Sequence, residues 1–212
     1  MHLFPQPNQG VRHTPQQVHR ALTSLGLERD HLQQAIAEGE LQRRLASPFD
    51  VPTAGGFNAH TRTVRSLREM YVPRGWKQND IGLSTIESPD GRVAVAVVSG
   101  DARTGDQDAL TVGTKRARGP ATMEAVLENG QGRLFYLEPV VTWFLLVHSR
   151  SDGVWAELSL PDRIDEDGRI SSWRERIILG RIEPTEPTGD LVRPDDPPAQ
   201  QPIDVPVIRR AR

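Results

Sequence analysis

The groups in this chain best suited to chemistry lie between residues 100 and 119. Asp101, Asp106 and Asp108 fall in the first half of that stretch, and Thr114, Lys115, Arg116 and Arg118 in the second, just before Gly119 and Pro120. The first half is acidic and the second basic. Backbone N–H groups at a helix start favour anions, and arginine grips phosphate through paired donors, so residues 114–118 read as a phosphate-binding segment. A second basic group, Arg62 and Arg65, lies on an expected helix, with Trp76 and Lys77 just beyond its end. If that helix packs beside the loop, the two groups line one anion-binding cleft, and Trp76 offers a stacking surface for a base.

Other chemistries fit less well. Gly100 and Gly105 have the spacing that begins a phosphate-binding P-loop, but Asp106 and Gln107 stand where that motif needs Lys and Ser or Thr. Nucleoside triphosphate hydrolysis by that route is excluded. Asp101, Asp106 and Asp108 could gather around a magnesium or calcium ion, although aspartates are common in turns for local hydrogen-bonding reasons. The histidines at 2, 13, 19, 31, 60 and 148 show no metal-ligand spacing, and there is no cysteine. Thiolate metal sites, disulfides and cysteine nucleophiles are therefore excluded. His60 or His148, with Asp101, is the one candidate general base.

The elements that must position these residues follow from periodicity. Residues 1–13 read as a loose arm. Thr14 and Pro15 suit a helix N-cap and first position, with Val18, Ala21, Leu22 and Leu25 on one face and Gly26 ending the run. A second helix from about Glu28 carries Leu32, Ala35, Ile36 and Leu45, so residues 14–46 form a helical hairpin. Its turn resembles a helix-turn-helix, but the second helix lacks the basic footprint of a DNA reader. Pro48, Pro52, Gly55 and Gly56 mark residues 47–58 as a linker. Asn58 is the expected cap of a third helix, whose Val64, Leu67, Met70 and Tyr71 face inward.

Beyond it, residues 81–87 and 92–99 flank the turn Ser88, Pro89, Asp90, Gly91, and both faces of 92–99 are apolar, as in a central strand. Residues 120–129 read as a helix, and strands are expected at 133–137, 140–149, 154–160 and 173–182. Short turns join most of these, so residues 59–182 are expected to form an α+β domain with a mainly antiparallel meander of about five strands and one or two packed helices. Trp143, Trp155 and Trp173 sit on the meander, with Trp155 and Trp173 on its more polar faces. Residues 183–212 hold seven of the prolines and read as a disordered, partly polyproline tail.

Composition sets outer bounds. The chain has 212 residues, a formal charge of −2 and a hydrophobic fraction of 36%, with a mean hydropathy of −0.50. That apolar fraction is low for a fully packed chain of this length, which accords with unpacked ends. Residues 51–80 carry Arg62, Arg65, Arg68, Arg74 and Lys77 against Glu69 and Asp80, a local excess of positive charge. No signal peptide or membrane span is evident, and a soluble, cytoplasmic protein with no membrane partner is expected. The leading expectation is a non-enzymatic binding protein for a nucleic acid or nucleotide, without a cofactor. One alternative is a magnesium-dependent phosphoester hydrolase using the loop aspartates. The other is a protein-interaction module acting through the C-terminal tail and exposed tryptophans.

Overall fold

Thr14 starts the first helix as its residue type demands: its side chain accepts from the Gln17 N–H while Gln17 reaches back to the Thr14 N–H, a reciprocal capping box. The computed structural model describes residues 10–130 and 140–183. Among these lie helices α1 (Pro15–Ser24), α2 (Arg29–Arg44), α3 (Ala54–Tyr71) and α4 (Pro120–Gly130). The strands are β1 (Val11–Arg12), β2 (Lys77–Asn79), β3 (Thr85–Glu87), β4 (Val93–Ser99), β5 (Val141–Arg150), β6 (Gly153–Ile164) and β7 (Ile170–Ile182).

They make an α+β fold around one seven-stranded sheet of order β1-β7-β6-β5-β4-β3-β2. The expected meander of about five antiparallel strands is corrected in three respects. β4 and β5 run parallel, because the segment between them contains α4 and crosses over the sheet instead of turning back. The end of the expected loose arm is also structured, since β1 adds a parallel edge strand on β7 and Gly10 accepts from the Arg176 N–H at 2.8 Å. β2, which was not anticipated, extends the other edge by pairing with β3. The strand expected at 133–137 lies outside the described residues, as do residues 184–212 of the tail.

The sheet is buried on both faces, and two apolar clusters divide its residues by the strand period of two. On one face Val95, Val97, Trp143, Leu145, Ala156, Leu158, Ile177 and Leu179 meet Val18 and Leu22 of α1, Leu32 and Ile36 of α2, and Val64 and Leu67 of α3. On the other, Ala96, Val98, Phe144, Leu146 and Ile170 meet Val126 of α4 and Val112 of the long loop. The helical hairpin and the sheet therefore share one core. Among the described residues no helix is long and apolar enough to cross a membrane.

α2 and α3 cross closely. A Cβ on Gly39 would stand 2.1 Å from Thr63 Oγ1 and 2.7 Å from the Ala59 carbonyl, so only glycine permits this approach. α3 begins at Ala54, inside the expected linker, and not after Asn58. Gly55 and Gly56 belong to its first turn, and a Cβ on Gly55 would come within 3.2 Å of the Arg43 carbonyl. Tertiary packing here outweighs the low helix propensity of glycine. Leu45, expected to face inward, is 57% exposed just past the end of α2.

Candidate anion-binding cleft

The carboxyl ends of the parallel pair β4 and β5 open into a cleft of about 890 Å³. Ligands gather at such strand ends in open sheets because the flanking layers diverge there. Ser99 at the end of β4, Gly100 just beyond it, and Val147, His148 and Ser149 from β5 form its floor. One wall is the segment from Ala46 to Phe57, with Ala59, His60 and Thr63 of α3; the other is Lys115, Arg116 and Arg118.

The long loop is fixed to the sheet along much of its length. The Asp101 N–H donates to Gly113 at 2.8 Å, Lys115 to Ser99 at 2.9 Å, Thr114 to Ile170 at 2.9 Å and Arg118 to Gly168 at 2.7 Å. Deeper down, Glu157 and Arg176 form a buried, two-pronged ion pair at 2.9 and 2.6 Å, one on β6 and the other on β7. Glu157 also accepts from the Gly105 N–H, while Arg176 donates to the carbonyls of Asp106 and Ala109. These bonds tie the acidic half of the loop down, as those of Thr114, Lys115 and Arg118 hold the basic half at the strand ends. Rigid support of this kind is what a binding loop requires.

The electrostatics of the two walls differ. Lys115 and Arg116 are exposed, and Arg118 is half-buried. No ion pair joins any of the three to a carboxylate among the described residues. Arg118 donates through Nη2 to the Ser99 carbonyl at 3.1 Å, but its Nε is buried without a hydrogen-bond partner among the described residues. Burial also lowers its pKa from the ordinary arginine value, a direction that leaves an arginine charged at neutral pH. An unsatisfied guanidinium N–H of this kind costs free energy until an acceptor reaches it.

His60 keeps an exposed edge, yet the protein around its ring, and after it the charge of Arg118, lower its pKa from 6.5. His148 Nδ1 lies 3.0 Å from the Gly100 carbonyl, which can only accept, so that nitrogen carries the proton. Arg43 also lines the cleft but is occupied by Glu40, which it meets at 2.7 Å. Burial acts to raise the pKa of Glu40, but hydrogen bonds from Arg43, Ser149 and Arg44 outweigh it and bring the value below 4.5. Asp50, a carboxylate on the rim, accepts from the Ser47 N–H at 2.7 Å.

The remaining residues expected at the site lie elsewhere or serve the fold. Arg62 pairs with Glu38 at 2.6 Å and reaches Glu69 at 3.8 Å, and Arg65 pairs with Glu69 at 2.7 Å. Arg65 lines a different groove of about 630 Å³, together with Arg68, Val72 and Pro73. The two basic groups therefore do not share one concavity; His60 lines both hollows. Trp76 is 5% exposed and packs on Tyr71 at 5.1 Å between ring centroids, so its face is not free for a base. Lys77 is exposed on the edge strand β2, away from the cleft lining. Thr114 is buried, donating to the Arg116 carbonyl and accepting from the Ile170 N–H. It shapes the loop from beneath.

The loop aspartates act locally. Asp101 accepts from the N–H groups of Arg103 and Gly113, each at 2.9 Å, and Asp106 from that of Asp108 at 2.9 Å. Among the described residues no group of three or more His, Cys, Asp or Glu side chains is placed to hold a metal ion. The sequence reading also missed the wall from Ala46 to Phe57, which it took for a linker. Its available signal was the set of large apolar residues Phe49, Val51 and Phe57 within a Pro- and Gly-rich stretch, 99%, 68% and 67% exposed in the structure. Comparison with protein-family models, curated proteins and solved structures finds no match to this chain.

Proposed function

We propose that this protein binds a phosphate-bearing ligand in the cleft over the ends of β4 and β5, with Lys115, Arg116 and Arg118 as its anion contacts. The reading is that of a binding protein, not a hydrolase. The observation that carries it is the contrast in pairing between the two basic groups. The arginines of α3 are matched by Glu38, Glu69 and Asp80, whereas the loop cations line a concavity without carboxylate partners among the described residues. Charges so arranged attract an anion and hold it against a surface of lowered dielectric, where each contact counts for more than in water.

Titration with inorganic tripolyphosphate, followed by calorimetry and by the NMR signals of His60, tests this reading. The wild-type chain is expected to bind, with Arg116→Gln weakening the interaction and Arg65→Gln leaving it unchanged. Arg116 is the cleaner target because Arg118 also supports the Ser99 carbonyl. Equal binding by the wild-type and Arg116→Gln proteins, or loss confined to Arg65→Gln, refutes the assignment.

A further inference from the structure

Resting on that reading, we infer that the ligand of the cleft is a single-stranded nucleic acid, whose backbone follows Lys115, Arg116 and Arg118 while one of its bases stacks on Phe57. Phe57 lies in the first turn of α3, lines the same cleft as the three cations and is 67% exposed. An anion site for a small oxyanion has no use for an exposed aromatic ring in its opposite wall. A groove that pairs cations with an aromatic face matches a strand, because each unit of the strand offers a phosphate and a flat base together.

Two further observations narrow the ligand. Lys115 and Arg116 are exposed along a cleft of about 890 Å³, which has room for more than one unit of a strand. Duplexes are disfavoured because their bases are stacked inside and present no face to Phe57. The carboxylate on the rim, Asp50, is held by the backbone of its own turn and faces no cation in an ion pair among the described residues. It therefore leaves the positive charge of the opposite wall in place.

The test compares four probes by fluorescence anisotropy on the full chain: a short oligothymidylate, an abasic oligomer of equal length, the matching duplex, and polyglutamate. The oligothymidylate is expected to bind about tenfold more tightly than the abasic oligomer, the scale of one stacked base. Phe57→Ala should remove that difference while leaving abasic binding intact, and Arg116→Gln should weaken both. Phe57→Leu, which keeps an apolar side chain but no ring, should behave as Phe57→Ala; both exchange an exposed side chain, and circular dichroism checks the fold. Equal affinity for the abasic oligomer, or oligothymidylate binding unaffected by Phe57→Ala, overturns the stacking inference and leaves the anion-binding reading standing. Failure of every probe and of tripolyphosphate overturns both. Tighter binding of polyglutamate than of oligothymidylate overturns this inference in favour of an acidic protein segment.

Discussion

Replacing Arg176 by methionine should detach the long loop from the sheet. The guanidinium bonds both oxygens of Glu157, at 2.9 and 2.6 Å, and the carbonyls of Ala109 and Asp106, at 3.1 and 2.9 Å. Glu157 is fully buried, so the variant leaves a carboxylate out of water with only the Gly105 N–H and the Ser159 hydroxyl as donors. Breaking a buried pair from one side costs about 3–5 kcal/mol, a large share of the stability of an ordinary domain. The double variant Glu157→Met, Arg176→Met removes both charges and should recover much of that loss, since the isolated charge and not the missing bond dominates the cost. Urea unfolding of the wild type, both singles and the double gives the cycle. Hydrogen exchange at Gly105, whose N–H is held by Glu157, should accelerate in Arg176→Met. A cost below about 1 kcal/mol with unchanged exchange would show that the pair does not hold the loop.

Four other outcomes follow from the same geometry. If Lys115, Arg116 and Arg118 each meet one phosphate of a single strand, the logarithmic salt slope is about −2, and a fourfold rise in salt weakens binding about 16-fold; a slope near zero refutes phosphate contact. Gly39→Ala drives a methyl group into Thr63 and the Ala59 carbonyl, and should lower stability by about 1–3 kcal/mol in thermal or urea unfolding. Glu40 has its pKa lowered in the folded state, so its contribution is present above the unfolded value of about 4.5 and is lost as pH falls through the folded value. Glu40→Gln should therefore flatten the acid limb of the stability curve without a comparable change in slope near neutrality. The pKa of His60, read by NMR, should lie below 6.5, rise in Arg118→Gln, and rise again when tripolyphosphate fills the cleft of the wild type.

Local rules made much of the fold legible. Thr14 and Pro15 announced α1, Pro89, Asp90 and Gly91 announced the β3–β4 turn, and the period of two along 154–160 announced β6 beside β5. Where the reading failed, the deciding contact was distant in sequence. β1 exists because β7 offers a free edge at Arg176, and nothing within residues 1–13 encodes that edge. β4 and β5 became parallel because α4 covers the sheet between them, whereas a count of strands and turns favours antiparallel pairing. The first turn of α3 passes through Gly55 and Gly56, which read locally as a break; Gly55 packs tightly on the end of α2, where a Cβ would stand 3.2 Å from the Arg43 carbonyl, whereas Gly56 faces open space.

The cleft was legible only on one side, and the reason is electrostatic. A sequence shows how many cations a segment carries but not which carboxylates will meet them. Arg62 and Arg65 read as the second half of a basic site, with Arg68 one turn further along the same helix. Glu38, 24 positions before Arg62, and Asp80, 12 positions after Arg68, come back to two of them in space, while Glu69 meets Arg65 one helical turn away. Lys115, Arg116 and Arg118 also have aspartates nearby in the chain, at 101, 106 and 108. Asp101 and Asp106 instead accept backbone N–H groups of the loop itself, and the Glu157–Arg176 anchor holds the backbone at Asp106. Acids occupied in this way form no ion pair with Lys115, Arg116 or Arg118 among the described residues. Arg176→Met should consequently weaken tripolyphosphate binding, although Arg176 is buried and lies outside the cleft lining.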